Sequence, residues 1–576
     1  MLSDLSKLQD NASYDVVVVG AGGAGLGAAL FAAVAGAKVL VIEHTELVGG
    51  TTAISAGTTW IPGTQHAAAV NPGDTLAQAA NYLGIAIGGH SPLALRQAFL
   101  EHGASTVRTL EEKTDVRFRP YPKHPDYISD LPGATLNGRA LEPLPFDGRR
   151  LGKLFALLRP PIPEFTVLGG MMVDRTDINH LLGLGKSLAS FRHAVRILLR
   201  HGLDRLSYPR GTRLVMGNAL IARLLVSLSK HSNVQLLLNT SVAAMGSNAR
   251  GINTVTLRQA GLLRHIAVQG GVVLAGGGFN RHAQKRATLL PGAQVDWCPG
   301  APGHTGTAQD LALALGARLG TEGASHAFWA PVSLRKRADG TQAVFPHFVM
   351  DRAKPGMLTV NQAGQRFVNE STSYHLFARA MLAKNAKSPC IPAYLIADAK
   401  ALKNYGMGMV RPGGAGLKPF LADGYLTQAD SLAELAQKLH IDAGNLVQTV
   451  LRFNTLAEQG VDEDFHRGET AYQHNIGDPA AGTPNPNLGP LRAAPYYAVK
   501  LYPGDIGAAT GLVTDTHARV LDAQDQPIAG LYAVGNDMQS VMGGVYAAPG
   551  ITIGPGLVFA SLAAADAVGR AGHRSS

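Results

Sequence analysis

The chain has 576 residues, of which 46% are hydrophobic and 16% are charged, and its formal net charge is +10. The length predicts two or more domains with a large core, and the composition excludes an intrinsically disordered protein. No nucleic-acid-binding motif accompanies the excess of basic residues, so the charge does not predict a nucleic-acid partner.

The two cysteines, Cys298 and Cys390, lie far apart without a CxxC motif or a His/Cys metal spacing. They predict neither a disulfide framework nor a metal site, and they favour a reducing, cytoplasmic location. The N-terminus lacks the basic start and apolar core of a signal peptide. The apolar stretch 551–568 is interrupted by Gly, Pro and Asp566, which makes it unsuitable as a membrane span.

The first predicted element is a strand of four consecutive valines, residues 16–19. A short β-branched run without polar alternation is typical of a parallel strand covered on both faces. The following glycines fit a dinucleotide-binding turn: Gly20 makes the tight turn, Gly22 admits a pyrophosphate, and Gly25 allows close helix-on-strand packing. A helix over about residues 22–35 then points its amide-rich N-terminus at the phosphates.

The second predicted strand, residues 38–42, ends at Glu43, whose carboxylate can accept from both ribose hydroxyls of a dinucleotide. Strand, glycines, helix, strand and terminal acid in this order predict a dinucleotide-binding domain. The loop Gly49-Gly50-Thr51 comes next and favours FAD over NAD. Flavoproteins place such a loop against the pyrophosphate and the flavin, and NAD enzymes do not need it.

Basic residues cluster in 186–213, where Arg192, Arg196 and Arg200 mix with Leu, Ile and Val. Residues 178–206 are predicted to form one helix. The simpler interpretation is an ordinary amphipathic helix on the protein surface. The alternative is a basic helix that lies on the inner face of an anionic membrane as a peripheral contact, which would suit a lipid-like substrate.

Two later strands also run into glycines, at 271–278 and 530–535, and Gly554-Pro555-Gly556 opens an apolar helix over 557–568. The N-terminus of that helix could stabilise negative charge on a reduced flavin. Because these clusters must meet the first one around a single ligand, FAD is the predicted cofactor. The residues predicted to contact FAD are Gly20, Gly22, Gly23, Ala24, Gly25, Glu43, His44, Gly49, Gly50, Thr51, Thr52, Ser55, Ala56, Gly57, Val242, Ala275, Gly276, Gly277, Gly535, Asn536, Gly554, Pro555 and Leu557.

The predicted fold class is α/β, with a discontinuous Rossmann-like FAD-binding domain formed by residues 1–290 and 498–576. Residues 291–497 are then an inserted α+β catalytic domain that caps the substrate. Ligand sites prefer domain interfaces, so the chemistry is expected where the inserted domain closes on the flavin.

Tyr546 and Gly550 come just before the flavin-facing helix, so both are expected beside the isoalloxazine. A phenol and a backbone N–H four residues apart form a suitable pair of donors to one carbonyl oxygen.

With these residues in place, the sequence resembles the 3-ketosteroid Δ1-dehydrogenases, within the fumarate-reductase-like flavoproteins. The similarity covers most of the chain. The motifs that carry it are Pro125-Asp126-Tyr127, Asn369-Glu370-Ser371-Thr372-Ser373-Tyr374 with Phe377 and Arg379-Ala380-Met381, Gly511-Leu512-Val513-Thr514-Asp515, Gly530 to Asn536, and Tyr546 with Gly550. The resemblance implies that Tyr546 and the Gly550 amide bind the ketone oxygen, that Tyr374 is the base, and that Tyr127 assists it.

The sequence departs from many relatives at Gly544 and at Ala547-Ala548, where those relatives carry Arg and Pro-Gly. The departure leaves the roles of Tyr546 and Gly550 intact. It affects the prediction of the substrate more than the prediction of the reaction.

The implied reaction removes the α-proton from carbon 2 of a 3-ketosteroid and delivers a hydride from carbon 1 to flavin nitrogen 5. A tyrosine is a weak base for a plain ketone, but two donors on the oxygen would lower the barrier by roughly 6 kcal/mol. A second tyrosine bonded to the base would spread the phenolate charge. No second nucleotide site for NAD is evident, so a quinone-type or artificial electron acceptor is expected.

Other functions stay open. One is dehydrogenation at position 4 of a steroid, or desaturation of a non-steroid cyclic ketone. A second is a fumarate-reductase-type enoate reductase, which would clamp two carboxylates with cationic side chains. The candidates for that clamp are Arg352, Arg366, Arg379, His347 and His375. A third is a flavin-holding protein of the membrane surface, in which the basic helix has the main role.

Overall fold

Two large sheets organise the chain in this computed structural model, which describes residues 1–349 and 351–575. The strands in chain order are β1 Leu2–Ser3, β2 Ala12–Val19, β3 Val39–Ile42, β4 Thr59–Trp60, β5 Phe118–Pro120, β6 Ala140–Pro143, β7 Phe146–Asp147, β8 Thr166–Val167, β9 Met171–Met172, β10 Arg213–Leu214, β11 Val234–Leu237, β12 Ser241–Asn248, β13 Gly251–Gln259, β14 Leu262–Leu274, β15 Ala327–Lys336, β16 Gln342–Pro346, β17 Met357–Val360, β18 Ala393–Asp398, β19 Thr427–Ala429, β20 Tyr496–Ala508, β21 Arg519–Leu521 and β22 Pro527–Ala533.

Helices connect and cover these strands. In chain order they are α1 Gly23–Val34, α2 Gly50–Ile54, α3 Gln65–Val70, α4 Leu76–Ile87, α5 Leu93–Lys113, α6 Arg175–Leu182, α7 Leu188–Asp204, α8 Met216–Ser229, α9 Ala283–Leu289, α10 Thr307–Leu313, α11 Tyr374–Lys384, α12 Ala399–Tyr405, α13 Lys418–Ala422, α14 Leu432–Leu439, α15 Ala443–Gln459, α16 Ala471–Ile476 and α17 Ile553–Ser575.

The first sheet has the order β1-β11-β3-β2-β14-β13-β12, and β22 also pairs with β14. Its centre, β11-β3-β2-β14-β22, is parallel. Helices α1, α8 and α17 pack on this region, so the apolar strands β2 and β3 are buried. Burial on both faces is what favours parallel strands built from Val, Ile and Leu. The predicted α/β Rossmann-like fold is confirmed.

The second sheet is antiparallel, with the order β16-β15-β20-β18-β17 and with β19 paired to β20. Helix α11 packs against β15 and β20. Strand β20 lies wholly in this sheet and crosses residue 498, where the sequence predicts the return to the FAD-binding domain. The division of the chain into 1–290 with 498–576 and 291–497 remains a prediction.

The predicted single helix over 178–206 is wrong, because the structure has two helices, α6 and α7, joined by a turn. Gly183 ends α6, and Ser187 caps α7 by accepting from the Ser190 N–H. Glycine and serine in this short segment stop one helix and start the next, which outweighs the continuous apolar pattern. Among the described residues, no helix combines the length and apolarity that crossing a bilayer requires.

Candidate active site

The turn between β2 and α1 has the geometry of a dinucleotide-binding loop. Gly20 has a φ of +111°, and a Cβ there would lie 2.2 Å from the Ala275 carbonyl oxygen. A Cβ on Gly25 would lie 1.9 Å from the Gly20 oxygen, so only glycine permits this approach of helix to strand. A Cβ on Gly22 would meet no protein atom within 4 Å. Space therefore remains at Gly22 for a pyrophosphate, as predicted from the sequence.

The separate glycine clusters converge on this loop. A Cβ on Gly535 would lie 3.0 Å from Ala24 Cβ, and a Cβ on Gly556 would lie 3.4 Å from the same atom. The Asp537 carboxylate accepts from the N–H groups of Gly276 and Gly278. The structure thus brings together the regions around residues 20–25, 275–278, 535–537 and 553–556. The predicted FAD contacts on these segments are Gly20, Gly22, Gly23, Ala24, Gly25, Ala275, Gly276, Gly277, Gly535, Asn536, Gly554 and Pro555.

The Gly49-Gly50-Thr51 loop lies beside the same turn. The Gly49 N–H donates to the Ala21 carbonyl at 2.8 Å, and Gly49 has a φ of +115°. Thr51 Oγ1 lies 3.2 Å from Nε2 of His304, a residue that sequence reasoning missed. The other predicted contacts on this stretch follow directly and are Thr52, Ser55, Ala56 and Gly57, the last with a φ of +68°.

Glu43 ends β3 as predicted, and its carboxylate accepts from the N–H groups of Ala21 and Thr45. Oε1 also accepts from the Thr45 hydroxyl, so Oε2 is the oxygen that keeps a lone pair for a ribose hydroxyl. His44 is next to it and half-exposed, and Val242 lies two residues beyond Thr240, whose N–H donates to the Glu43 carbonyl.

The described residues fit FAD, because they combine an open glycine cradle, a carboxylate at the strand end and the N-terminus of α17. Leu557 is buried, and its side chain packs towards Gly27 of α1. Only its backbone can therefore serve the predicted contact.

Three predicted catalytic tyrosines meet in one cluster, although they come from distant parts of the sequence. The hydroxyl oxygens of Tyr127 and Tyr374 are 3.1 Å apart. The Tyr546 and Tyr374 phenols also interact electrostatically. The Tyr374 and Tyr546 rings have centroids 5.1 Å apart, and the Tyr127 and Tyr546 rings are stacked at 5.7 Å.

Each tyrosine is positioned by its local structure. Tyr374 is the first residue of α11, and the cap residue Ser373 accepts from the Leu376 N–H. Tyr127 sits in a loop, and its N–H donates to the Ala547 carbonyl at 2.8 Å. That bond ties the loop directly to the segment that carries Tyr546, so the loop is not a detached lid.

Gly550 requires glycine, since its φ is +89° and a Cβ would lie 2.4 Å from the Thr58 carbonyl oxygen. Its carbonyl accepts from the Trp60 and Gly554 N–H groups. No group in the described part of the chain accepts from the Gly550 N–H. This amide is therefore free to donate to a ligand, as a carbonyl-binding group must be.

Burial raises the pKa of the Tyr374 phenol well above its ordinary value, and it does the same to Tyr127. The pKa of Tyr546 is raised by burial as well, although its interaction with Tyr374 opposes the shift. In this state all three phenols are protonated donors at neutral pH. Proton abstraction by Tyr374 therefore requires groups that stabilise its phenolate.

Two residues that the sequence did not indicate join the cluster. The ring of Tyr472, on α16, lies 4.8 Å from the ring of Tyr127 between centroids. Phe328 of β15 packs edge-on against Tyr546 at 5.2 Å. Neither residue belongs to a recognisable motif, so no sequence signal could have found them. Asp537 was also missed, although an acid directly after Gly535-Asn536 was a readable signal.

Two residues of the predicted dicarboxylate clamp are paired with acids elsewhere. Arg366 pairs with Glu370 and Asp462 at 2.7 Å each. His347 bonds to Asp351 at 2.6 Å.

Two further members of that clamp, His375 and Arg352, also bond to groups of the protein. His375 Nδ1 accepts from the Trp329 N–H, and burial lowers the pKa of His375 to about 3, so the ring is neutral. The guanidinium of Arg352 bonds to main-chain carbonyls. Arg379 is half-buried on α11. Tyrosines rather than a clamp of cations therefore form the polar centre.

A small cleft lies beside Phe328 of this cluster, between the second sheet and the FAD-binding segments. Its walls carry no charged side chain among the described residues. They are formed by Phe328, Ala508, Gly535, Asn536, Met538, Gln539, Ser540, Val541, Ile551, Thr552, Pro555 and Gly556. The site thus lies where the predicted inserted region meets the cofactor region.

Comparisons with known proteins agree with this geometry. The model of the FAD binding domain family matches residues 15–553. The chain is 37% identical to 4-oxocyclohex-2-ene-1-carboxylate 5-dehydrogenase of Sinomonas cyclohexanicum, over 99% of this chain and 96% of that protein. It is 36% identical to a 3-oxosteroid 1-dehydrogenase of Mycolicibacterium smegmatis, over 96% of this chain and 97% of the relative.

Among solved structures, a 3-ketosteroid Δ1-dehydrogenase from Sterolibacterium denitrificans, in complex with 1,4-androstadiene-3,17-dione, superimposes with a TM-score of 0.90. That match has 34% sequence identity and covers 97% of this chain and all of the other. The chain therefore belongs to the FAD binding domain family and, within it, to the FAD-dependent oxidoreductases of the 3-ketosteroid Δ1-dehydrogenase family.

Proposed function

We propose that this chain dehydrogenates ring A of a 3-ketosteroid and forms the double bond between carbons 1 and 2. The observation that carries the proposal is the meeting of Tyr127, Tyr374 and Tyr546, the last of which lies four residues before the free Gly550 amide. Bound FAD supplies the acceptor for the hydride from carbon 1. Side chains and amides of this chain would bind the ketone and move the α-proton.

The carbonyl oxygen would accept from the Tyr546 hydroxyl and the Gly550 N–H. Both donors stabilise negative charge that develops on the oxygen as the proton leaves, so they act most strongly in the transition state. Tyr374 is placed to take the proton from carbon 2, because its hydroxyl neighbours that of Tyr546. Tyr127, bonded to Tyr374, would donate to the phenolate and stabilise it.

The reaction can be tested with the purified yellow protein under anaerobic conditions. Adding 4-androstene-3,17-dione should bleach the flavin absorbance and yield the 1,4-diene. Bleaching by a reduced dye followed by reoxidation with fumarate would instead support an enoate reductase.

A second candidate substrate is a small oxo-cyclohexene carboxylate, because a relative of that name is 37% identical over nearly the whole chain. Comparing kcat/KM for 4-androstene-3,17-dione and 4-oxocyclohex-2-ene-1-carboxylate decides between them. A preference for the acid would overturn the steroid assignment.

A peripheral contact with an anionic membrane is part of the same proposal. On α7, the residues Leu188, Phe191, Leu199 and Leu203 form one exposed stripe, and each side chain is at least half exposed. At 100° per residue this stripe lies opposite the buried face of the helix. A helix with exposed apolar side chains on one face is typical of proteins that bind a membrane surface, and less so of a helix that faces only water.

Charge and position support this contact. Arg192 lies within the stripe and Arg196 at its edge; both are exposed and form no ion pair with any described residue. At the start of α6, the Arg175 guanidinium lies 4.9 Å from the centroid of the Tyr121 ring, close to the catalytic cluster. Contact at the cytoplasmic leaflet would give an apolar substrate and a quinone-type electron acceptor a short route to the site.

Pelleting with anionic vesicles tests the contact. The double variant Arg192→Glu/Arg196→Glu should lose binding, whereas the matched variant Arg108→Glu/Lys113→Glu on α5 should keep it. Equal binding of all three proteins, or no binding by the unmodified protein, would contradict the membrane contact and leave the reaction untouched.

A further inference from the structure

Arg352 is a fully buried cation. Its Nε donates to the His347 carbonyl at 3.1 Å, Nη2 donates to Phe348 at 2.9 Å, and Nη1 donates to Thr372 at 2.7 Å and to Glu370. Within the described residues, no carboxylate oxygen accepts from the guanidinium. A buried charge without an opposite charge destabilises a fold unless nearby groups compensate it.

The neighbouring carboxylates are engaged with other donors. Asp351 accepts from His347 Nδ1 at 2.6 Å, from the Gly408 N–H at 2.8 Å and from the Arg352 main-chain N–H at 2.7 Å. Although burial opposes it, this environment lowers the pKa of Asp351 to about 2. Glu370 directs its carboxylate to Arg366 and Arg467. Neither acid bonds to the Arg352 guanidinium.

The guanidinium lies against the tyrosine cluster, because Nη2 bonds to the carbonyl of Phe348, whose ring meets the Tyr374 ring edge-on at 4.8 Å. The Tyr472 hydroxyl is buried and has no partner in hydrogen-bonding geometry within the described residues. Burial raises the pKa of Tyr472 to about 12, and the positive charge of Arg352 acts in the opposite direction. From Tyr472 the cluster continues to the Tyr127 ring at 4.8 Å and then to the Tyr374 hydroxyl at 3.1 Å.

Two other cations lie near the cluster in the described structure. Arg175 is 4.9 Å from the Tyr121 ring but is exposed to solvent, and Arg139 is paired with Asp74 and Asp126. Tyr546 and Tyr121 are neutral phenols that act on Tyr127. His124 and His375 flank the tyrosines, and burial lowers the pKa of each ring to about 3, which keeps both uncharged. Unlike Arg175 and Arg139, the Arg352 guanidinium is both fully buried and without a carboxylate partner among the described residues.

We propose that Arg352 is a positioning residue for proton abstraction, whose charge acts through Tyr472 and Tyr127 to stabilise the Tyr374 phenolate. This inference rests on the proposed function. In the step, the C2–H bond breaks and the proton goes to the Tyr374 oxygen. The electron pair stays on the enolate, and Arg352 itself exchanges no proton.

The test compares Arg352→Gln, Arg352→Lys and Tyr472→Phe as FAD-loaded proteins. A matched control is Arg223→Gln. Arg223 likewise donates to main-chain carbonyls, those of Leu144, Asp115 and Pro145, but lies away from the tyrosines. The readouts are the pH profile of kcat/KM for 4-androstene-3,17-dione and the isotope effect with substrate deuterated at carbon 2.

Arg352→Gln should move the ascending limb of the profile up by about one pH unit, with about a tenfold rate loss on that limb. Its isotope effect should rise, because a weaker base makes C2–H cleavage more rate-limiting. Arg352→Lys should restore the profile, and Tyr472→Phe should shift it in the same direction as Arg352→Gln. Arg223→Gln should lower the melting temperature and leave the profile in place.

The inference is overturned if Arg352→Gln and Arg352→Lys lose the same factor at every pH, because that would be a structural effect alone. If Arg352→Gln does not fold, an unshifted profile for Tyr472→Phe also overturns it. Tyrosinate absorbance near 295 nm provides a readout without turnover. The tyrosinate signal of Tyr374 is the one that Tyr374→Phe removes. This signal should form at lower pH in the unmodified protein than in Arg352→Gln. If Arg352→Gln does not fold, Tyr472→Phe takes its place in this comparison. The same tyrosinate titration in the variant and in the unmodified protein would overturn the inference, whether or not a ketone is turned over. A failure to turn over the ketone would count against the proposed function alone.

Discussion

Replacing Tyr546 by Phe removes one of the two proposed donors to the ketone oxygen and changes little else. The ring would keep its stacking on Tyr127 at 5.7 Å and its edge contact with Phe328 at 5.2 Å, so the fold and the bound FAD should persist. Loss of one donor to a developing oxyanion costs about 3 kcal/mol, which corresponds to a rate about 100-fold lower. The Gly550 amide remains, so turnover should be slowed rather than abolished.

Stopped-flow bleaching of the flavin by 4-androstene-3,17-dione under anaerobic conditions measures this step directly. The rate constant at saturating substrate should fall by that factor, while the FAD content stays unchanged. Tyr394→Phe is the matched control, since Tyr394 is a buried tyrosine whose hydroxyl donates to the Leu439 carbonyl in the second sheet. A Tyr546→Phe rate within about threefold of the unmodified enzyme would refute the carbonyl-binding role.

Two glycines and one acid give further predictions. Gly22→Val should leave the apoprotein folded but abolish FAD binding, because a Cβ there meets no protein atom; Gly25→Val should prevent folding, because its Cβ would lie 1.9 Å from the Gly20 oxygen. Calorimetry and flavin absorbance separate these outcomes. Burial raises the pKa of Asp537 to about 6, although the N–H groups of Gly276 and Gly278 oppose the shift. The folded state therefore holds this proton more tightly than the unfolded chain, and stability falls as pH rises from about 4 to 6, by up to about 3 kcal/mol. Asp537→Asn should remove that part of the pH dependence. Melting temperatures that change equally with pH in the two proteins over this range would contradict the assignment.

The cofactor region could be predicted from the sequence because its signals are local. The valine strand, the turn at Gly20 and the terminal Glu43 follow one another within a single β-α-β unit, where spacing alone determines geometry. Tyr546 and Gly550 could be placed in the same way, since they lie a few residues before α17.

The rest of the site depends on tertiary packing that spacing does not encode. Tyr127 and Tyr374 were identified only through a family resemblance. Tyr472 and Arg352 were not predicted to belong to the tyrosine cluster, because only long-range packing brings these residues together. The break between α6 and α7 was missed for a different reason. The apolar pattern continues across Gly183, and only the cap at Ser187 marks the new helix.

The central claim is that Tyr374 removes the proton next to a ketone held beside the flavin. Its most direct test is the anaerobic flavin spectrum of Tyr374→Phe mixed with 4-androstene-3,17-dione. The account predicts a protein that retains its FAD and is not bleached by the steroid. Bleaching at close to the rate of the unmodified enzyme would contradict it.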